Sequence, residues 1–107
     1  MTLAFVTAKW TLDQYHQMID AGILAGHHVE LLNGEIVEMP PEGELHAHLS
    51  SEAADYIREL LRGKVKVREI KPITLPNNSE PEPDIAIVQD LGDTYFAQIV
   101  QNLVLVV

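Results

Sequence analysis

The residues best suited to carry chemistry are two carboxylates, Asp84 and Glu30. Asp84 ends the segment Ser-Glu-Pro-Glu-Pro-Asp and directly precedes the apolar run 85–88. A carboxylate at the mouth of a buried strand is costly to desolvate unless it is paired or binds a metal, so this position indicates a site. After Asp84 the sequence contains no Glu, Lys or Arg. A second set of charged catalytic groups must therefore come from upstream or from another chain.

The second carboxylate, Glu30, lies in a predicted β-hairpin. Two apolar segments flank Asn33-Gly34, a pair that favours a tight primed turn. In this register Glu30 faces Val37, and one surface carries Glu30, Leu32, Glu35, Val37 and Met39. If that surface faces inward, the Glu30 carboxylate is buried among aliphatic side chains, as paired or functional Glu residues usually are. A bulge or a splayed hairpin end would instead return it to water.

Two helices and three further strands must position these carboxylates. Thr11 and Gln14 have capping-box spacing at the start of a first helix that ends near Gly22. A longer second helix ends near Gly63, and its apolar residues repeat at helical spacing: Leu45, Leu49, Ala53, Tyr56 and Leu60. The further strands are predicted after Gly63, at 85–88 with both faces buried, and at 99–107. A loop over 77–83 and a turn over 89–93 separate them.

The length predicts one domain over residues 1–107, and the predicted helices and strands make it α+β (α/β). The apolar fraction of 47% excludes wholesale disorder, and the absence of Cys excludes disulfides, thiolate metal sites and thiol nucleophiles. The sequence shows neither a signal peptide nor an apolar run of membrane-spanning length. We therefore expect a soluble, cytoplasmic protein.

The charge distribution is uneven. A formal net charge of −9 argues against a dedicated nucleic-acid coat protein, because phosphate binding depends on Lys and Arg. Six of the seven basic residues nevertheless lie within residues 58–71. This basic segment could face phosphates or be a solvated strand face. Its weak phosphate-facing candidates are Lys64, Lys66, Arg68 and Lys71.

The remaining candidates are histidines and two further acids. Vicinal His27-His28 and the i,i+2 pair of His46 and His48 are poorly placed to chelate one ion, so surface or capping roles are favoured. Glu80 and Glu82 alternate with prolines on the same side as Asp84. They could bind a metal or form a solvated rim; we expect the rim, with Glu82 the better metal candidate.

The order of these motifs resembles the Uma-type family of bacterial proteins, a branch of the restriction-endonuclease-like fold. The similarity spans about residues 10–88 and includes Glu-Leu-Leu-Asn-Gly-Glu-Ile-Val-Glu-Met and Ser-Glu-Pro-Glu-Pro-Asp-Ile-Ala-Ile-Val. It implies a mixed central sheet and a PD-(D/E)XK site that binds Mg²⁺ and hydrolyses DNA phosphodiesters. Asp84 matches the first Asp, Glu30 is the extra acid, Glu82 is a further metal candidate, and His46 lies near the cleft.

The resemblance also implies a Glu and a Lys on the strand after Asp84, and this sequence has neither. Because the tail 102–107 resembles the start of that strand, we expect a shortened member that lacks the C-terminal part of the fold and does not cleave DNA alone. Three hypotheses stay open: a metal-dependent nuclease, an inactive oligomerising or binding module, and a remnant whose core is completed by partner chains. The apolar tail favours a homodimer with the tails or hairpins near the interface.

Overall fold

The computed structural model describes residues 4–89 and the strand residues 103–106. Its elements follow the α+β order expected from the sequence. They are α1 (Leu12–Asp20), β1 (Val29–Leu32), β2 (Glu35–Glu38), α2 (Glu44–Leu60), β3 (Val65–Glu69), β4 (Ile85–Gln89) and β5 (Leu103–Val106). The predicted turn over 89–93 lies almost wholly outside the described residues.

The N-terminal half follows its local sequence signals closely. The Thr11 side chain accepts a hydrogen bond from the Gln14 backbone amide, and the Gln14 side chain accepts one from the Thr11 amide, which completes the predicted capping box. The hairpin has the predicted register, with Glu30 opposite Val37. Its turn residues Asn33 and Gly34 both have positive φ, as a primed turn requires. A side chain at Gly34 would also crowd the Trp10 carbonyl oxygen at 3.2 Å.

The core forms between α2 and the three-stranded sheet of β3, β4 and β5. β4 lies in the middle and pairs antiparallel with both neighbours. Its residues 85–88 are all buried, as predicted, and Ile85 and Ile87 pack against Ala54 of α2. Alternate residues of a strand face opposite sides, so this contact sets which face of β4 lies under α2. Asp84, directly before β4, is thereby placed at one end of the sheet.

The sheet differs in one respect from the expected mixed sheet. All strand pairs in the described residues are antiparallel, in the hairpin as well as in the three-stranded sheet. Of the strand predicted over 99–107, residues 103–106 form β5, and one edge of β5 pairs with β4. No described helix is long and apolar enough to cross a membrane.

Helix α2 packs through a face next to its apolar repeat. Ala54 is fully buried and Ile57 packs against the same cluster. The repeat itself, which we call the α2 stripe, stays at the surface: Leu45 is 71% exposed, Leu49 58%, Tyr56 66% and Leu60 64%. Ala53 is exposed as well. The sheet covers only one side of the helix's wide apolar arc, so helical spacing alone could not tell which part would be buried.

A buried Glu80 joins α1, the hairpin and the loop before β4. Its backbone amide donates to the Leu31 carbonyl at 2.7 Å, and its carboxylate contacts His16 Nε2 at 2.8 Å and accepts from Thr74 Oγ1 at 2.9 Å. Its side chain is only 10% exposed. The expectation of a solvated rim was therefore wrong for Glu80. Burial is tolerable because the carboxylate is fully engaged by hydrogen bonds.

Candidate functional site

The N-terminal end of α2 borders an acidic cavity of about 340 Å³. The cavity lies between the hairpin, the start of α2 and the segment that leads into β4. Four acids and two histidines face it, namely Glu30, Glu42, Glu82, Asp84, His28 and His46. No Lys or Arg is among the residues that line it in the described part of the chain. The cavity therefore combines high negative charge with imidazole groups.

Three of these side chains converge on one point. His46 Nε2 lies 2.9 Å from Asp84 Oδ2 and 3.2 Å from Glu42 Oε1. Asp84 is held directly before β4, and His46 lies in the first turn of α2, which has Gly43 as its N-cap. Glu42 precedes that cap and reaches back to His46 across i,i+4 spacing. One ligand atom from each of the three residues lies within 4.8 Å of the other two.

The spacing of these atoms suits a divalent cation. In an octahedral site, each ligand atom lies about 2.1 Å from the metal, so two adjacent ligand atoms are roughly 3.0 Å apart. The distances from His46 Nε2 to the Asp84 and Glu42 oxygens are close to this value. The donors are two carboxylates and one imidazole. Carboxylates suit Mg²⁺ and Mn²⁺, whereas imidazole suits transition metals better than Mg²⁺. Mn²⁺ is therefore the cation best suited to test binding at this cluster, and Mg²⁺ serves as the comparison.

Glu30 and Glu82 line the same cavity, but their carboxylates make other contacts and do not join the cluster around Asp84. Glu30 Oε1 accepts a hydrogen bond from the Glu82 backbone amide at 3.0 Å, and Glu82 Oε2 lies 3.7 Å from His28 Nε2. Glu30 is half-buried on the side of β1 opposite Leu31, the fully buried residue of the hairpin. Its face is thus not the hairpin's main core face. The three-residue cluster within the described residues includes Asp84 but neither Glu30 nor Glu82.

The backbone beside Asp84 adopts an uncommon conformation at Ile70. Ile70 has a φ of 50°, which a β-branched residue rarely adopts. Its amide donates to the carbonyl oxygens of Pro83 at 3.2 Å and Asp84 at 3.3 Å, and its side chain lines the acidic cavity. These contacts tie the end of β3 to the segment that carries Asp84.

The basic segment lies mainly at the other end of α2. Lys66 lines a separate cavity of about 490 Å³ with Arg58 and Arg62. Lys64 and Lys71 are exposed, and Arg68 is half-buried and donates to the Pro72 carbonyl at 3.1 Å. His46 and Leu60, the last residue of α2, are separated by about 21 Å of helix at 1.5 Å per residue, and Arg62 lies beyond that end. The phosphate-facing role of the basic residues stays a prediction, and their side chains do not line the acidic cavity.

The pKa of Tyr15 reflects the negative charge near the cavity. Burial raises its pKa above 10.0, and the charges of Glu80, Glu82 and Glu30 raise it further. Its hydroxyl donates to the Val29 carbonyl at 3.3 Å.

We expect Tyr15 to ionise above pH 10.0, late in an alkaline titration that is followed by absorbance near 295 nm. Tyr15→Phe should remove that late transition, because burial and neighbouring carboxylates disfavour the phenolate. A raised pKa in the folded state also means that its contribution to stability is present below pH 10.0 and is lost as the pH rises through the folded-state value. If Tyr15→Phe instead removes an early transition, the pKa of Tyr15 is not raised.

Glu42 is the site residue that the sequence analysis missed. The segment Pro40-Pro41-Glu42-Gly43 is typical of a break before a helix, which by itself gives Glu42 no chemical role. The usable signal was its i,i+4 spacing to His46 across the helix start. The structure also brings His46 to Asp84, next to the cleft where the resemblance placed it.

Comparison with models of protein families gives a match. The model of the Uma2 family, described as putative restriction endonuclease, matches residues 12–107. No curated protein and no solved structure matches the chain significantly.

Proposed function

The chain belongs to the Uma2 family, and on that premise we propose that its acidic cavity is a divalent-cation site of the kind that Mg²⁺-dependent endonucleases use on DNA phosphodiesters. The observation that carries the proposal is the convergence of Asp84, His46 and Glu42 within 4.8 Å. These residues come from two separate parts of the chain and meet at the mouth of a buried strand.

Asp84, Glu42 and His46 would hold the cation. A bound divalent cation would activate water and offset the negative charge that develops on a phosphodiester. Glu30 would not be a direct ligand in this arrangement. Its hydrogen bond to the Glu82 amide positions the segment 82–84, and hence the Asp84 carboxylate.

Solvent can reach His46, whose side chain is 56% exposed, but its Nε2 faces both carboxylates and would be bound to the cation. A cation-bound Nε2 cannot accept a proton. The family resemblance implies a Lys that orients or deprotonates the attacking water, but no Lys follows Asp84 in the sequence. We therefore propose that the 107-residue chain binds the cation and does not cleave DNA efficiently by itself.

Mn²⁺ binding and plasmid nicking test this function together. Calorimetry with Mn²⁺ should show one saturable site in the millimolar range or tighter, with Mg²⁺ as the weaker ligand because of the imidazole donor. Supercoiled plasmid incubated with purified chain and either metal should stay intact over hours.

Two results would revise the proposal in different ways. If neither metal binds at millimolar concentration, the cation site is wrong. If the wild-type chain nicks plasmid in a metal-dependent manner and Asp84→Asn abolishes this, the chain is an active nuclease that needs no Lys after Asp84.

A non-catalytic oligomerising module is the second candidate function. The exposed α2 stripe favours it, because a row of large apolar side chains on a solvent-facing helix is typical of a contact surface. Both functions are compatible, since the stripe and the cavity involve different side chains.

A further inference from the structure

The α2 stripe is an exposed row of apolar side chains that the proposed cation site does not use. It runs from Leu45 to Leu60, about 22 Å at 1.5 Å per residue. Each of its large side chains is more than half exposed. Ala54 and Ile57 already supply the contact of α2 with the sheet. Within the described part of the chain, the stripe is therefore open to contact with a second molecule.

The stripe is nearly symmetric about its own midpoint. Leu45 and Leu60 lie at equal distances from a point between Glu52 and Ala53, and so do Leu49 and Tyr56. A second copy of the helix, reversed in direction, would therefore place Leu45 against the partner's Leu60 and Leu49 against the partner's Tyr56. The small Ala53 would lie at the crossing point, where two helix backbones must approach most closely.

We propose that two copies of this chain associate through the α2 stripes, packed antiparallel about a two-fold axis near Ala53. A two-fold interface requires a surface that is complementary to itself, and a palindromic row of side chains meets that requirement. A different partner would have no need for this symmetry. The interface lies on α2, not on the tails or hairpins that the sequence analysis favoured.

The polar residues beside the stripe fit the same arrangement. On one flank, antiparallel packing brings His48 close to the partner's Glu59, with an offset of about 3 Å along the helix axis. The two-fold axis repeats this pair, so two His48–Glu59 hydrogen bonds can form. The same flank brings Glu52 close to the partner's Glu52 across the axis. These like charges oppose association. The interface is thus driven by apolar contact and weakened at its centre by one pair of acids.

Sedimentation equilibrium of the full chain tests the association. A monomer has a mass of 11.9 kDa, and we expect the wild type to have twice that mass at tens of micromolar. Leu49→Lys should raise the dissociation constant at least about tenfold, because it places a charge in the apolar centre of the contact. Ile23→Lys is the matched control, since Ile23 is 66% exposed outside α2, and it should leave the dimer intact. Glu52→Gln should tighten the dimer severalfold.

Cysteine cross-linking tests the antiparallel direction. The chain contains no Cys, so each introduced thiol is unique. Ala53→Cys should form a disulfide-linked dimer under mild oxidation, because the two copies of residue 53 meet near the axis. Leu45→Cys should not, because its two copies would lie about 22 Å apart.

Three outcomes would overturn the proposal. The first is a wild-type chain that stays monomeric at these concentrations. The second is a dimer that Leu49→Lys leaves unchanged while circular dichroism shows the variant to be folded. The third is equal cross-linking of Leu45→Cys and Ala53→Cys, which would indicate a parallel or non-specific contact. A monomer in which Leu49→Lys lowers stability would show that the stripe is covered by the chain's own residues.

Discussion

Replacing Asp84 with Asn should weaken Mn²⁺ binding by at least about tenfold. Removing a residue that only supports a metal ligand already costs about this much, and Asp84 would itself be a ligand. The expected loss has two causes. Asn keeps the size of Asp84 but removes the negative charge, and the cluster has only one other carboxylate, from Glu42. Calorimetry or electron paramagnetic resonance of free Mn²⁺ measures the change without any need for catalytic activity.

Asp20→Asn is the matched control for this experiment. It makes the same chemical change at the exposed last residue of α1, away from the acidic cavity. Binding should equal that of the wild type. Glu42→Gln should resemble Asp84→Asn, whereas Glu82→Gln should have a smaller effect because Glu82 lies outside the three-residue cluster. Unchanged binding in Asp84→Asn would move the metal away from this cluster.

Replacing Glu80 with Ala lowers the free energy of unfolding by about 2–3 kcal/mol, as expected for lost hydrogen bonds to a buried charged group. The variant leaves Thr74 Oγ1 and His16 Nε2 without their partner and creates a gap between α1 and the loop before β4. Urea unfolding followed by circular dichroism measures this change as a lower midpoint.

Glu38→Ala is the control for the buried pair. Glu38 also contacts a histidine, His27 Nδ1 at 3.0 Å, but its side chain is 67% exposed. Exposed ion pairs contribute little, so this variant should stay within about 0.5 kcal/mol of the wild type. Equal destabilisation by the two substitutions would mean that burial does not set the strength of the Glu80 contacts.

Local sequence signals determined the elements of the fold. The capping box of Thr11 and Gln14, the positive-φ turn at Asn33-Gly34 and the apolar run 85–88 each depend on neighbouring residues, and each appears in the structure as predicted. The position of Asp84 directly before β4 follows from the same local pattern. These features need no information about distant parts of the chain.

Tertiary packing decided which side chains meet. Asp84 meets Glu42 and His46 only because α2 starts beside the segment before β4, and Glu80 is buried only because α1 and the hairpin close over it. Likewise, helical spacing marks an apolar arc on α2, but the position of the sheet decides that Ala54 is buried and Leu49 exposed. Sequence periodicity specifies the direction of each side chain within its own element, whereas burial and site geometry depend on how the elements pack against each other.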